Sequence, residues 1–363
     1  MIFSTGIAVL ALVASLVSEG ALAHGALDRR DGRKCNGYSD LCDRKFNRVA
    51  YAATHNSFAV GDSLAANQNM DIATQLNKGV RALMLDLHDP SKTGLSFGKR
   101  SVVPTLCHTS CVLLNAGPAV DQLKVLREFM DANVDEVLTV FLENAEDFDS
   151  TVVSQLFTDA GLSKYLFTPN GSGDDYVWPT LRQMIANDSR LVVLNSLKRD
   201  SKSPDWLLYD RDYAVQTPWS VKAGSQFSCS LLTEKRPLTV MNHFVVVDYP
   251  VLGTSVEIPD YNSTLLINTR ASIIDQANLC GSAGLFPNFV AVDFFDAGAV
   301  LQAVADLNKV NFVAPTAVKG NNDAKDAESS SSVSSSASAA GLPSMRSGAM
   351  LLLGLVGVLA AAM

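Results

Sequence analysis

The feature that most limits the fold of this chain is an alternation of short apolar runs with amphipathic stretches. The apolar runs resemble strands, and helical patterns lie between several of them. The predicted strands span residues 49–53, 80–87, 104–107, 136–142, 190–194, 213–216, 238–242 and 288–293. The predicted helices span residues 72–78, 119–132, 151–160, 180–186 and 297–307. This order indicates a parallel sheet, so we predict an α/β fold, a TIM-type (β/α)8 barrel that is irregular in its second half.

The N-terminal region of the 363-residue chain differs in composition from this barrel region. Residues 1–23 hold an apolar run followed by Ala21-Leu22-Ala23, the pattern of a signal peptide and its cleavage site. The N-terminal segment 24–34 contains Arg29-Arg30, which is either a second processing site or a solvated turn. The barrel is predicted over residues 35–315, a length that suits one large domain.

The C-terminal region divides into a stalk and a sorting signal. Residues 316–341 are rich in Ser and Ala and poor in large apolar residues, so they predict a flexible stalk. Residues 342–363 combine a polar spacer with an uncharged apolar tail that is shorter than the roughly 20 residues of a spanning helix. This order predicts a GPI-anchor signal, with a tail-anchored helix as the less favoured alternative.

The six cysteines predict disulfides, because an even number of cysteines in a secreted chain is typical of a disulfide framework. Proximity in the sequence favours Cys35–Cys42 and Cys107–Cys111, which leaves Cys229–Cys280. Metal ligation is a minor alternative, since the sequence has no CxxC pair and no HExxH motif.

Three sequons, at Asn170, Asn187 and Asn262, predict N-glycosylation on an extracellular surface. The net charge of −8 argues against nucleic acid as a partner. We therefore expect a monomer of the secretory pathway, held by a GPI anchor at the extracellular face of the plasma membrane or in the cell wall.

Polar residues follow four consecutive predicted strands. The first strand ends at His55-Asn56, the second carries Asp86, the third ends at His108 and the fourth ends at Glu143. In barrels of this type the active site lies at the carboxyl ends of the strands, so these groups are expected around one rim. Side chains alternate along a strand, so Asp86 shares a face with Met84 and points into the barrel.

The residue types at this rim suit the cleavage of a phosphodiester. One His can remove a proton from an attacking hydroxyl while the other protonates the leaving oxygen. Asn56, Asp86 and Glu143 carry the oxygen ligands that Ca²⁺ or Mg²⁺ prefers. A cation bound there would neutralise charge on the phosphate in the transition state.

The stretches "THNSF", "GVRALMLDLHD", "LCHTSC" and "EVLTVFLEN", in this order, resemble the catalytic X region of phosphatidylinositol-specific phospholipase C. The similarity is greatest to the secreted or GPI-anchored phospholipase C-like phosphodiesterases of fungi and plants. It implies that His55 is the general base for an inositol hydroxyl and that His108 is the general acid. It also implies a phospholipid or inositol phosphodiester substrate, and a cyclic inositol phosphate as the product.

The resemblance also implies a Ca²⁺ site at Asn56, Asp86 and Glu143, with Mg²⁺ as the less favoured ion. Metal-dependent members have a further acidic ligand where this chain has Met84, and metal-independent members have an Arg in place of Asp86. This chain has neither arrangement in full, so a metal-independent mechanism stays open. The alternatives are a weak or inactive barrel that binds ligands at the cell surface, and a phosphodiesterase for another head group.

Other polar residues follow the later predicted strands. Asp293 ends the eighth strand, which lies beside the first when a barrel closes, so it is expected to orient the ring of His55. Lys198, Trp219 and His243 are expected to contact the phosphate or the head group of the substrate.

Overall fold

A computed structural model of the protein describes residues 32–93, 103–171, 176–251 and 254–315. The predicted signal peptide (1–23), Arg29-Arg30, the stalk (316–341) and the anchor signal (342–363) lie outside the described residues, as does most of the segment 24–34. No helix within the described ranges is long and apolar enough to cross a membrane.

The described residues form a curled parallel sheet, a short hairpin and eight α-helices. The strands are β1 (Tyr51–Thr54), β2 (Ala82–His88), β3 (Thr105–His108), β4 (Leu114–Pro118), β5 (Leu138–Asn144), β6 (Leu191–Asn195), β7 (Leu207–Tyr209), β8 (Ala214–Gln216), β9 (Leu238–Asn242), β10 (Val246–Val251), β11 (Thr254–Pro259) and β12 (Phe289–Val292). The helices are α1 (Ile72–Asn77), α2 (Ala119–Ala132), α3 (Ser150–Asp159), α4 (Leu181–Ala186), α5 (Asp210–Tyr213), α6 (Tyr261–Ile267), α7 (Arg270–Ser282) and α8 (Val300–Leu307).

Eight of these strands are parallel neighbours in the order β7-β6-β5-β2-β1-β12-β9-β8. This order follows the chain around a barrel, and the two ends of the series, β7 and β8, are the edges of the sheet. The α/β barrel is therefore confirmed, with its opening in the second half. Both edge strands are only three residues long, and a four-residue helix, α5, connects them.

The predicted third barrel strand is wrong in its role, although a strand is present there. β3 runs antiparallel to β2 and forms a hairpin with β4, so it flanks the barrel. The barrel strand that the sequence analysis missed is β7, which pairs parallel to β6. A short apolar run does not specify the direction of a strand. The predicted number of eight barrel strands is still correct, because the extra strand β3 offsets the missed strand β7.

Two apolar cores lie on the two faces of the sheet, as the alternation of side chains along β2 predicts. Leu83, Leu85 and Leu87 pack in the outer core between the sheet and the helices. Ala82 and Met84 belong to the inner core within the barrel. Aromatic rings fill the inner core, where the rings of Phe46 and Trp178 stack 4.8 Å apart and those of Phe141 and Phe289 meet edge to face at 4.9 Å.

The inner face changes from apolar to polar at the carboxyl ends of the strands, which we call the mouth. Seven barrel strands each have a last residue that belongs to the inner core. In chain order these residues are Ala53, Met84, Phe141, Leu208, Ala214, Val240 and Ala291. Two residues further along each strand lies a polar residue on the same face, and together these form the polar ring: His55, Asp86, Glu143, Asp210, Gln216, Asn242 and Asp293. Aromatic rings therefore fill the interior of the barrel, and mainly acidic and amide groups line its mouth.

The last described segment, 311–315, lies at the opposite end of the barrel from the mouth. The backbone N–H of Val313 donates to the hydroxyl of Tyr38 at 3.2 Å. Pro315 lies against Gly79, close to the amino-terminal end of β2.

Candidate active site

His55 lies directly after β1, and contacts with Asp293 and Phe244 fix its ring. Its Nδ1 is 2.9 Å from Oδ1 of Asp293, the residue after β12, which pairs with β1. The ring of Phe244 stacks on it with centroids 4.0 Å apart and planes 5° apart. Burial lowers the pKa of His55, but the charge and hydrogen bond of Asp293, together with the charges of Asp86 and Glu143, raise it overall. The contacts with Asp293 and Asn67 both lie on the Nδ1 side of the ring, which leaves Nε2 on the opposite side.

His108 reaches the mouth from the β3–β4 hairpin rather than from a barrel strand. The Cys107–Cys111 disulfide closes a short loop around it, and Thr109 adopts a left-handed φ of +61° within that loop. Nδ1 lies 2.6 Å from the carbonyl oxygen of Ala65, so this nitrogen carries a hydrogen and donates. Burial lowers the pKa of His108 to about 4, which the bond to Ala65 opposes. The ring centroids of His55 and His108 are 6.4 Å apart.

Asp86 and Glu143 are direct neighbours on the paired strands β2 and β5. Asp86 is buried, with 9 % of its surface exposed, whereas Glu143 is exposed. Burial first, and then the charge of Glu143, raises the pKa of Asp86 well above its usual range, and His55 opposes this shift. Two neighbouring carboxylates at a buried mouth favour the binding of a proton or a cation.

The amide of Asn56 links these carboxylates to His108. Asn56 has a left-handed φ of +43°, which turns the chain at the end of β1. One amide atom lies 3.2 Å from Asn67 Oδ1 and 3.0 Å from His108 Nε2, and the other lies 2.9 and 3.1 Å from the oxygens of Asp86. The first atom is the nitrogen when His108 is neutral, because Nε2 and Asn67 Oδ1 both then accept a hydrogen bond.

In this orientation the amide oxygen of Asn56 faces the carboxylate of Asp86. Both groups are acceptors, so the amide gives Asp86 no hydrogen bond. Turning the amide would satisfy Asp86, but it would place the oxygen against Asn67 Oδ1. Convergent oxygens of this kind fit a hard cation, and Ca²⁺ takes its ligands from carboxylates and amide carbonyls. Asn56, Asp86 and Glu143 would hold such an ion, and when bound it would supply positive charge beside a phosphate.

The protein offers this ion few carboxylates. Met84 lies on the same face of β2 as Asp86, and its thioether packs against the inner core. Within the described ranges, no group of three or more His, Cys, Asp or Glu residues is arranged to hold a metal ion. The set of Asn56, Asp86 and Glu143 supplies two carboxylates and one amide, so oxygens of water or substrate would have to complete the shell of six to eight ligands that Ca²⁺ takes.

The other residues predicted to contact the substrate occupy different environments. Lys198 is exposed beyond the end of β6, and Trp219, which follows β8, is 54 % exposed. Their role in binding stays a prediction. The prediction for His243 is wrong, because its side chain is fully buried on the outer face of β9. Its Nδ1 contacts Gln276 Oε1 at 2.6 Å and its Nε2 contacts the carbonyl oxygen of Ile267 at 2.8 Å, so neither nitrogen is left for a substrate.

Sequence reasoning missed several residues of the mouth. Asn67 contacts Asp293, His55 and Asn56, yet it belongs to an irregular loop that no periodicity marks. Asp210 completes the polar ring from β7, the strand that was not predicted, and burial raises its pKa to about 6. An acidic residue after a three-residue apolar run was the only signal available for it.

The cysteines and the sequons singled out in the sequence can both be located in the structure. The three disulfides Cys35–Cys42, Cys107–Cys111 and Cys229–Cys280 are present as predicted. Asn170, Asn187 and Asn262 are exposed, and their glycosylation stays a prediction.

The fold and its mouth define the class of the protein, an open α/β barrel with polar groups at the carboxyl ends of its strands. The family follows from the sequence: the PI-PLC X model matches residues 41–308, so the chain belongs to the PI-PLC X family.

The chain is similar to several known proteins, three of which follow. PI-PLC X domain-containing protein 1 from Arthroderma benhamiae is 30% identical over 290 residues, which cover 76% of this chain and 89% of that relative. An uncharacterized secreted protein from the same fungus is 27% identical over 303 residues, which cover 77% of this chain and 65% of that protein. Among solved structures, the phosphatidylinositol-specific phospholipase C from Listeria monocytogenes has a TM-score of 0.48 at 14% identity, covering 75% of this chain and 96% of that chain.

Proposed function

We propose that the protein is a phosphoric diester hydrolase that cleaves an inositol phospholipid or a related phosphodiester. One observation carries this proposal: His55, held by Asp293, faces the same mouth as His108, with ring centroids 6.4 Å apart. That separation leaves room for a phosphate between a base and an acid.

The chemistry assigns one proton transfer to each His. Nε2 of His55 removes the proton of a hydroxyl next to the phosphate, and the resulting oxygen attacks phosphorus. His108 gives a proton from Nε2 to the leaving oxygen, which departs as diacylglycerol, while a cyclic phosphate forms. His108 must be protonated for this step, so its Nε2 gives up the contact with the Asn56 amide and donates to the leaving oxygen instead. The negative charge of a bound phosphodiester raises the pKa of His108 from the low value of the free site.

Replacement of the base tests the assignment. His55→Ala should abolish cleavage of a water-soluble inositol phosphodiester, because removal of a general base and its oriented ring costs orders of magnitude in rate. The melting temperature should stay close to that of the wild type, since 24 % of the His55 side chain is exposed. His243→Ala, which removes a buried His away from the mouth, is the control and should lower stability more than catalysis. Wild-type turnover in His55→Ala would exclude the mechanism.

A second candidate is a barrel that binds phosphodiester ligands without cleaving them. Met84 favours it, because it stands where metal-dependent members carry an acidic ligand. Absence of turnover on a panel of inositol, choline and glycerol phosphodiesters, with binding of the same compounds at millimolar concentration, would select this candidate.

We propose Ca²⁺ as the ion of the mouth, with Mg²⁺ as the weaker alternative. The support is the amide oxygen of Asn56 facing both oxygens of Asp86, beside Glu143. Calorimetric titration of the chelator-treated protein with Ca²⁺ alone tests it. The absence of binding at millimolar Ca²⁺, with full activity in chelator, would establish the metal-independent mechanism.

We propose that the protein is secreted and held at the cell surface by a GPI anchor. The three disulfides support passage through an oxidising compartment, and one fungal relative is named as a secreted protein. Treatment of intact expressing cells with a purified GPI-cleaving phospholipase should release the protein into the medium. Retention in the cell after this treatment, with the tail still attached by mass spectrometry, would contradict the anchor.

A further inference from the structure

Asn67 is a buried residue of the mouth whose carboxamide contacts both the His55–Asp293 pair and Asn56. Its surface is 1 % exposed. Nδ2 donates to Oδ1 of Asp293 at 2.8 Å and lies 3.3 Å from Nδ1 of His55. Oδ1 accepts from Nδ2 of Asn56 at 3.2 Å. One side chain therefore joins the partner of the proposed base to the proposed cation ligands.

The backbone holds Asn67 firmly in this place. Its N–H donates to the carbonyl oxygen of Ala59 at 2.9 Å, and its carbonyl oxygen accepts from the N–H of Phe294 at 2.7 Å. The next residue, Gln68, bridges the ends of β1 and β12: its Nε2 donates to the carbonyl oxygen of His55 at 2.8 Å. The loop is thus fixed by contacts to both strands that carry the base and its partner, and Asn67 is preorganised before any ligand binds.

The two ends of the amide impose an orientation on two neighbours. Only the nitrogen of Asn67 can face the carboxylate of Asp293, because an amide oxygen there would meet an acceptor. Its oxygen must then face Asn56, where it accepts from the amide nitrogen. Asn56 is left with its own oxygen towards Asp86, at 2.9 and 3.1 Å from the carboxylate oxygens.

We propose that Asn67 is a positioning residue that sets the orientation of the Asp293 carboxylate and of the Asn56 amide at the same time. The proposal rests on the proposed function. Asn67 holds both the partner of the proposed base and a ligand of the proposed cation site, so its removal should affect both catalysis and cation binding. Asn67 itself touches no reacting atom.

Two substitutions separate the two ends of the amide. Asn67→Asp keeps an acceptor for Asn56 but replaces the donor to Asp293 with a second carboxylate that repels it, whereas Asn67→Ala removes both groups. Asn308, a buried residue at the other end of the barrel with 2 % of its surface exposed, offers matched controls. Its Oδ1 accepts from the N–H of Ala50, and its Nδ2 donates to the carbonyl oxygen of Ala50. Asn308→Asp and Asn308→Ala make the same chemical changes away from the mouth.

The measurements are kcat and KM on a soluble inositol phosphodiester, the affinity for Ca²⁺ alone by calorimetry, and the melting temperature. Asn67→Asp should lower kcat by about 10- to 100-fold, the effect of one lost hydrogen bond to a charged group, and keep the Ca²⁺ affinity within about threefold. Asn67→Ala should lower kcat similarly and also weaken Ca²⁺ binding by tenfold or more. The Asn308 variants should lower the melting temperature and leave kcat and Ca²⁺ affinity unchanged.

A purely structural role for Asn67 predicts a different outcome, in which kcat falls in parallel with the melting temperature and the Asn67 and Asn308 variants behave alike. That result would overturn the proposal. If the wild type shows no turnover, the proposed function fails. Crystal structures of the wild type and of Asn67→Ala then test the positioning role of Asn67 without any measurement of activity. Asn67→Ala should then show Asp293 rotated from His55 or the Asn56 amide turned to donate to Asp86, and an unchanged arrangement of both would overturn the proposal.

Discussion

Met84 is the residue of the mouth that most affects how tightly a cation can bind. It lies two residues before Asp86 on the inner face of β2, beside the carboxylates that would hold the ion. A thioether contributes little to Ca²⁺, which prefers oxygen ligands. The affinity of the wild-type mouth for Ca²⁺ is therefore expected to be modest, and substrate oxygens would contribute to it.

Met84→Glu should convert this weak site into a stronger one. The added carboxylate should tighten Ca²⁺ binding by tenfold or more, because it supplies a charged ligand next to Asp86 and Glu143. Without Ca²⁺ the variant should melt at a lower temperature than the wild type, since a third carboxylate increases charge repulsion at the mouth.

Met84→Gln is the matched control, with an oxygen of similar position and no charge. The readouts are calorimetry with Ca²⁺ alone and the melting temperature with and without Ca²⁺. Equal Ca²⁺ affinity in Met84→Glu and the wild type would show that the ion, if it binds, does not lie beside position 84.

At the scale of elements, the loop between β12 and α8 supports the mouth from outside. Asn268, which ends α6, donates from Nδ2 to the carbonyl oxygen of Asp293 at 2.8 Å. Its own carbonyl oxygen accepts from the N–H of Ala299 at 2.8 Å. Gly298 packs so closely that a Cβ there would lie 2.3 Å from this oxygen, and its φ is +109°. The absence of a side chain at Gly298 therefore lets α6 approach the strand end that carries Asp293.

Gly298→Ala should destabilise the barrel by about 1–3 kcal/mol, because the new Cβ clashes with Asn268 and the backbone conformation is strained for Ala. Gly281→Ala is the control: it lies in α7 with no atom within 4 Å of the added Cβ, and Ala is the better helix former by about 1 kcal/mol. Midpoints of urea unfolding measure both. A Gly298→Ala variant as stable as the wild type would mean that the loop moves aside at no cost.

The hairpin β3–β4 shows what a sequence can and cannot reveal about an element. His108 was predicted at the rim and lies there, but on an antiparallel strand that flanks the barrel. The apolar run of β3 predicts a buried strand, whereas its direction depends on pairing with β2, which is a tertiary property. The same limit applies to β7, whose three residues are too few to give a periodic signal.

At the scale of the whole molecule, the sequence predicts the parallel barrel because apolar runs alternate with amphipathic stretches, and the barrel in turn brings the polar residues of the strand ends together. His55, Asp86, Glu143 and Asp293 could be placed on one rim from strand alternation and order alone. Asn67 could not, since its contacts join a loop to residues as distant along the chain as Asp293. His243 was misplaced because it follows a strand like His55 does, and only the structure shows that it points to the outer face of the sheet.

The position of residues 311–315 shows from which side of the barrel a C-terminal tether would leave. This segment lies at the amino-terminal ends of the strands, against Tyr38 and Gly79, on the far side of the barrel from His55 and His108. A tether attached after residue 315 therefore starts behind the active site. A C-terminal tether would therefore leave the mouth uncovered where it starts, so that molecules from the surrounding medium or from an opposing surface could reach His55 and His108.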